Sequence, residues 1–85
     1  MCSTPIILFG AGKIGREALR YFGKEHILFF CDNDTSMHGK HIEGKKVISF
    51  EELLTCRENY RVIIAMRNIV PILAVEDQLK NHGIP

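Results

Sequence analysis

The sequence predicts an α/β fold, a parallel sheet of about four strands held between two layers of helices. Three observations predict it. An apolar run, Ile6 to Phe9, leads directly into Gly10, Gly12 and Gly15, which stand at G-x-G-x-x-G spacing. A helical apolar pattern follows those glycines. A second apolar run then closes on an acid, Asp32, seventeen residues beyond Gly15.

Each element has its own justification. Four apolar residues closed by a glycine suit a first strand buried on both faces. From Lys13 the period becomes helical: Ile14, Ala18 and Phe22 recur every four residues, Leu19 widens the stripe, and Arg16, Glu17 and Arg20 lie off it. Gly23 supplies a left-handed stop. Residues 26–31 form a second strand, and Asp32-Asn33-Asp34 ends it with turn chemistry. Residues 33–46 are polar and carry Gly39, Gly44, Lys40, His41, Lys45 and Lys46, as expected of a surface excursion. Val47-Ile48 is a brief third strand.

Ser49 opens S-F-E-E, in which the Ser49 hydroxyl and the Glu52 carboxylate would satisfy each other's backbone donors. The helix it starts, about 50–57, is expected to turn Leu53 and Leu54 inward. Residues 61–66, R-V-I-I-A-M, are a fourth strand. A last helix, about 69–82, tolerates Pro71 in its first turn, turns inward Ile72, Val75 or the neighbours of Glu76, and Leu79, and stops at Gly83. Alternation of strands and helices calls for parallel pairing with right-handed crossovers. The predicted spatial order is 3-2-1-4, a Rossmann-like three-layer sandwich whose ligands bind where the strand order reverses.

Composition narrows the function. The chain has 85 residues, 46% of them hydrophobic, and a formal net charge of +1. That is one small domain, residues 1–85, with too little positive charge for non-specific nucleic-acid binding and no apolar run long enough for a membrane span. Ile84-Pro85 stands where a further strand would begin, so a piece of a longer protein is expected. Cys2, Cys31 and Cys56 lack any C-x-x-C pairing and fit a reduced, cytoplasmic chain. Cys31, His38 and His41 match no zinc spacing and lack a fourth ligand, so no metal is expected and the histidines read as solvated loop residues.

The glycines point to a nucleotide. Gly10 permits the sharp turn from strand to helix, Gly12 lets backbone N–H groups approach a pyrophosphate, and Gly15 lets helix pack on strand. The N–H groups of Lys13, Ile14 and Gly15 would then face the anion, backed by the helix dipole. Lys13 adds a flexible cation, or is an ordinary surface lysine.

Asp32 at the tip of the second strand would accept hydrogen bonds from ribose hydroxyls and repel a 2′-phosphate, favouring NAD over NADP. Alternatively Asp32 closes an Asx turn, a role that Asn33 and Asp34 fit better. Asn33 lies beside it at the rim. After the fourth strand, Met66 and Arg67 face the same crevice, where Arg67 would meet a phosphate or carboxylate. Asn68 either contacts the ligand or caps the last helix. The glycine spacing alone is a weak signal, and the strand, helix and acid around it add independent conditions. No Tyr-x-x-x-Lys pair, nucleophile elbow, Gly-Lys-Ser/Thr loop or HExxH helix is present, so no catalytic residue is expected.

The runs I-I-L-F-G-A-G-K-I-G-R-E-A-L-R-Y-F, F-F-C-D-N-D, I-E-G-K-K-V-I-S-F-E-E-L and Y-R-V-I-I-A-M resemble the Rossmann-like domains of bacterial polysaccharide and sugar-nucleotide biosynthesis proteins. These include the N-terminal domains of sugar acyltransferases and the nucleotide-binding domains of nucleoside-diphosphate-sugar dehydratases and epimerases. The resemblance spans roughly residues 5–84. It implies that Gly10, Gly12 and Gly15 form the phosphate loop and that Asp32 faces ribose or a sugar nucleotide. Residues 44–49 look like the G-x-x-V-x-S/G segment of such domains. Where the acyltransferase relatives often carry His beside the second glycine, Lys13 stands here, and their left-handed β-helix is absent.

The expected function is a nucleotide-binding module, for NAD or a sugar nucleotide, that serves a catalytic domain of the same parent chain. The alternatives are the cofactor half of an NAD-dependent nucleotide-sugar dehydratase, epimerase or dehydrogenase, and a scaffold domain with an idle site.

Overall fold

The computed structural model describes residues 4–84; Cys2 and Pro85, named above, lie outside them. Strand β1 (Ile6–Phe9) runs through the centre, and all four of its side chains are buried. Its alternation divides the core. Ile6 and Leu8 enter one cluster with Ala11, Leu19, Phe30 and Val47, beneath helix α1 (Lys13–Phe22). Ile7 and Phe9 enter the other with Cys31, Ile48, Leu53, Val75 and Leu79. A strand covered on both faces has no solvent side, hence its unbroken apolar sequence.

The expected stripe is what α1 buries: Leu19 is inaccessible, and Ile14, Ala18 and Phe22 pack half-buried against the first cluster. Gly23, at φ +93°, ends the helix and donates its N–H to the Leu19 carbonyl at 2.9 Å. Strand β2 (Ile27–Cys31) pairs parallel to β1, with Phe9 opposite Cys31.

The excursion that follows contains a hairpin the sequence did not announce. Strands β3 (His41–Ile42) and β4 (Lys45–Ile48) pair antiparallel across Glu43 and Gly44, at φ +50° and +85°. A two-residue turn of this hand needs positive φ at both positions. Glu is a poor turn former there, and two residues are too few to show alternation, which is why the arm reads as loop. Among the described residues the sheet therefore has five strands, in the order β3-β4-β2-β1-β5, rather than four in the order 3-2-1-4. The added antiparallel arm lies at the edge beyond β4, and the pairings β4–β2, β2–β1 and β1–β5 are parallel.

Helix α2 (Phe50–Thr55) starts with the reciprocal cap: Ser49 Oγ accepts from the Glu52 N–H and the Ser49 N–H donates to Glu52 Oε1, both at 3.1 Å. Leu53 is fully buried, but Leu54 is 42% exposed, contrary to expectation. In so short a helix the inward face holds Phe50 and Leu53, three residues apart, and Leu54 lies about 100° further round. Strand β5 (Arg61–Ile64) ends two residues earlier than expected. The Ala65 N–H still reaches the Phe9 carbonyl at 2.9 Å, and the chain then turns out of the sheet. Helix α3 (Ile69–Asn81) carries Pro71 in its first turn and buries Val75 and Leu79, with Ile72 half-buried. His82 beyond it sets its ring edge-on to Phe50, 4.9 Å between centroids.

Among the described residues no helix is long and apolar enough to cross a membrane.

Candidate functional site

Between the C-terminal ends of β1 and β5 lies a cleft of about 380 Å³. The glycine loop forms one wall through Gly10, Gly12, Lys13 and Ile14. The segment after β5 forms the other through Ala65, Met66, Arg67, Asn68 and Pro71, and Asp32 stands at the end. This is the point where the connections from the sheet diverge to opposite sides, the usual seat of ligands in open α/β sheets.

The three glycines answer to different demands. Gly10 sits at φ +129°, where a Cβ would collide with the Ala65 carbonyl oxygen. On Gly15 a Cβ would collide with the Gly10 carbonyl and crowd Phe30. Gly12 has ordinary extended geometry (φ −89°), and a Cβ there would meet no atom of the described residues within 4 Å. The fold requires glycine at 10 and 15. It leaves position 12 free, and that open space faces the cleft.

Gly12 is also the N-cap of α1, and no side chain among the described residues caps it. The N–H of Gly10 donates to the Cys31 carbonyl at 2.8 Å, and that of Ala11 to Asp32 Oδ2 at 2.9 Å. The N–H groups of residues 12–15 find no acceptor among the described residues. Orphan donors at the positive end of a ten-residue helix form a ready anion seat. Lys13 and Arg67 are exposed on the two walls and make no ion pair among the described residues.

Asp32 is half-buried, and both its carboxylate oxygens are engaged: Oδ2 by Ala11 and Oδ1 by the Asp34 N–H at 2.9 Å. The Asx turn therefore belongs to Asp32 itself. Asp34 makes the next turn, accepting from the N–H and hydroxyl of Ser36, and those bonds hold its carboxyl below the usual range. Asn33 does not line the cleft. Its amide forms a reciprocal pair with Gln78 of α3, at 2.9 and 3.2 Å. Gly15 lies beneath the loop, buried, and contributes no side chain.

Two further expectations change. His38 is not a solvated loop residue: it is half-buried, with Nε2 2.6 Å from the Asp32 carbonyl oxygen. Asn68 does stand at the N-cap of α3, but its side chain makes no capping bond. Sequence reasoning also missed Pro71, which lines the cleft although it reads only as a first-turn proline, and Gln78, whose pairing with Asn33 spans 45 positions. Long-range side-chain pairing leaves no local sequence signal.

No protein-family model matches the chain, and no curated protein matches it. Among solved structures it is similar to UDP-D-quinovosamine 4-dehydrogenase from Vibrio fischeri, at 21% identity and a TM-score of 0.66, over 95% of this chain and 74% of that one. The likeness establishes a Rossmann-like fold.

Proposed function

We propose that this domain binds a nucleotide through its diphosphate, NAD or a sugar nucleotide, and serves as the binding module of a sugar-nucleotide or polysaccharide biosynthesis protein. The observation that carries the reading is Gly12. It is a glycine that packing does not require, at the uncapped start of α1, opening on a cleft. The diphosphate would lie against the N–H groups of residues 12–15, with Lys13 and Arg67 flanking it. Met66 would border the sugar or base, and each Asp32 oxygen keeps a lone pair for a sugar hydroxyl. The similarity to a dehydrogenase of a UDP-sugar supports both ligand classes. It also favours a second reading, in which the domain is the cofactor half of an NAD-dependent enzyme acting on a nucleotide sugar.

Titration of the isotope-labelled domain with NAD, NADH and UDP-glucose in turn tests the proposal. Amide shifts should move at residues 10–15 and 32–34. Silence at those amides for all three ligands at millimolar concentration would reduce the domain to a scaffold.

A further inference from the structure

We infer that Asp32 is a positioning residue for the glycine loop, fixing which backbone N–H groups the loop presents, rather than chiefly a selector of the ribose. The inference rests on the binding reading above for its ligand arm and stands without it for the loop itself.

Asp32 is bonded at every polar atom it has. Its N–H donates to the Ile48 carbonyl at 3.2 Å, which ties it to β4, and its own carbonyl meets His38 Nε2. Those two contacts fix the backbone, and the carboxylate then spans two loops. Oδ1 holds the Asp34 N–H within its own turn, and Oδ2 reaches 21 residues back to the N–H of Ala11. Ala11 is fully buried, so its N–H has no water to turn to, and a buried donor without an acceptor is strongly unfavourable. Asp32 supplies that acceptor.

The position of this bond decides the geometry of the loop. Gly10 and Ala11 are consecutive donors, both satisfied from the end of β2, one by the Cys31 carbonyl and one by the Asp32 carboxylate. The next donors, those of residues 12–15, have no acceptor among the described residues and belong to the cleft. Asp32 thus marks the change from inward-facing to ligand-facing backbone. Without it the Ala11 N–H must find another acceptor, and the turn that aims residues 12–15 moves with it. The loss would fall on any ligand held by those N–H groups, with or without a 2′-phosphate.

Hydrogen exchange of the unliganded domain, with Asp32→Ala and Asp32→Asn variants, tests the loop directly. In the alanine variant the Ala11 amide should exchange at least about tenfold faster, while the β1 amide of Leu8 keeps its rate and reports intact folding. Asparagine retains one acceptor oxygen and should restore part of the protection. NAD and NADP should weaken by the same factor in each variant.

Ala11 exchanging at the unaltered rate in both variants would overturn the inference, as would an NAD loss at least about tenfold greater than that of NADP. If the unaltered domain binds no nucleotide, the proposed function fails, and the exchange of Ala11 still decides the role of Asp32.

Discussion

A Cβ on Gly15 would run into the carbonyl oxygen of Gly10. The first turn of α1 therefore rests directly on the backbone that leaves β1, and no side chain fits between them. Gly15→Ala must push the helix off the sheet or bend the loop. It should destabilise the domain by about 1–3 kcal/mol, the usual range for overpacking a tight contact. Urea unfolding measures this, and an unchanged midpoint would mean that the helix shifts freely.

Gly12→Ser should behave in the opposite way. Nothing occupies the space, and a serine hydroxyl at the N-cap would accept a bond from the N–H of Ile14 or Gly15. Stability should hold or rise by a few tenths of a kcal/mol. Nucleotide affinity should fall about tenfold, because the hydroxyl takes a donor and fills the approach. Calorimetric titration of a variant that melts no lower than the original checks the pair of effects. Undiminished affinity would move the ligand away from the loop.

Leu53 and Leu54 are neighbours with opposite fates. Leu53→Ala removes a fully buried side chain from the second cluster and should cost about 2–5 kcal/mol. Leu54→Ala changes a side chain already facing water and should stay within about 0.5 kcal/mol. Comparable losses at the two positions would contradict the observed rotation of α2.

Cys31 carries a pH dependence. Burial, with Asp32 and Glu52 adding to it, pushes its thiol from 9.0 up to about 12. The folded state therefore holds this proton more tightly than the unfolded chain does. The associated stability is complete below pH 9 and is lost as pH rises towards 12. Unfolding midpoints should fall in that window more steeply for the unaltered domain than for Cys31→Ala. At neutral pH a thiol reagent should label half-buried Cys56 and leave Cys31 intact until the domain unfolds. Parallel alkaline slopes for the two proteins would remove Cys31 as the cause.

Much of the fold was legible because its signals are local. The apolar run of β1, the stripe of α1, the left-handed stop at Gly23 and the Ser49–Glu52 cap each lie within a few residues of sequence. The β3–β4 arm was not, because its turn uses Glu43, a residue that rarely accepts positive φ. At the site, the glycine spacing and the acid at the end of β2 were readable, but the bonds they make were not. Sequence cannot tell whether a carboxylate turns to a ligand or to its own backbone. For Asp32 the answer depends on Ala11, and for Asn33 on Gln78, partners that only the fold brings near.

The two borders of the sheet differ in kind. On one side the arm ends in a two-residue strand with Lys40, Lys45 and Lys46 close by, short and charged in the manner that discourages further pairing. On the other, β5 (four residues, Arg61 to Ile64) pairs with β1 and, among the described residues, with no other strand. The β5 flank is thus the border of the sheet that is neither cut to two residues nor crowded by lysines, and it runs directly into one wall of the cleft.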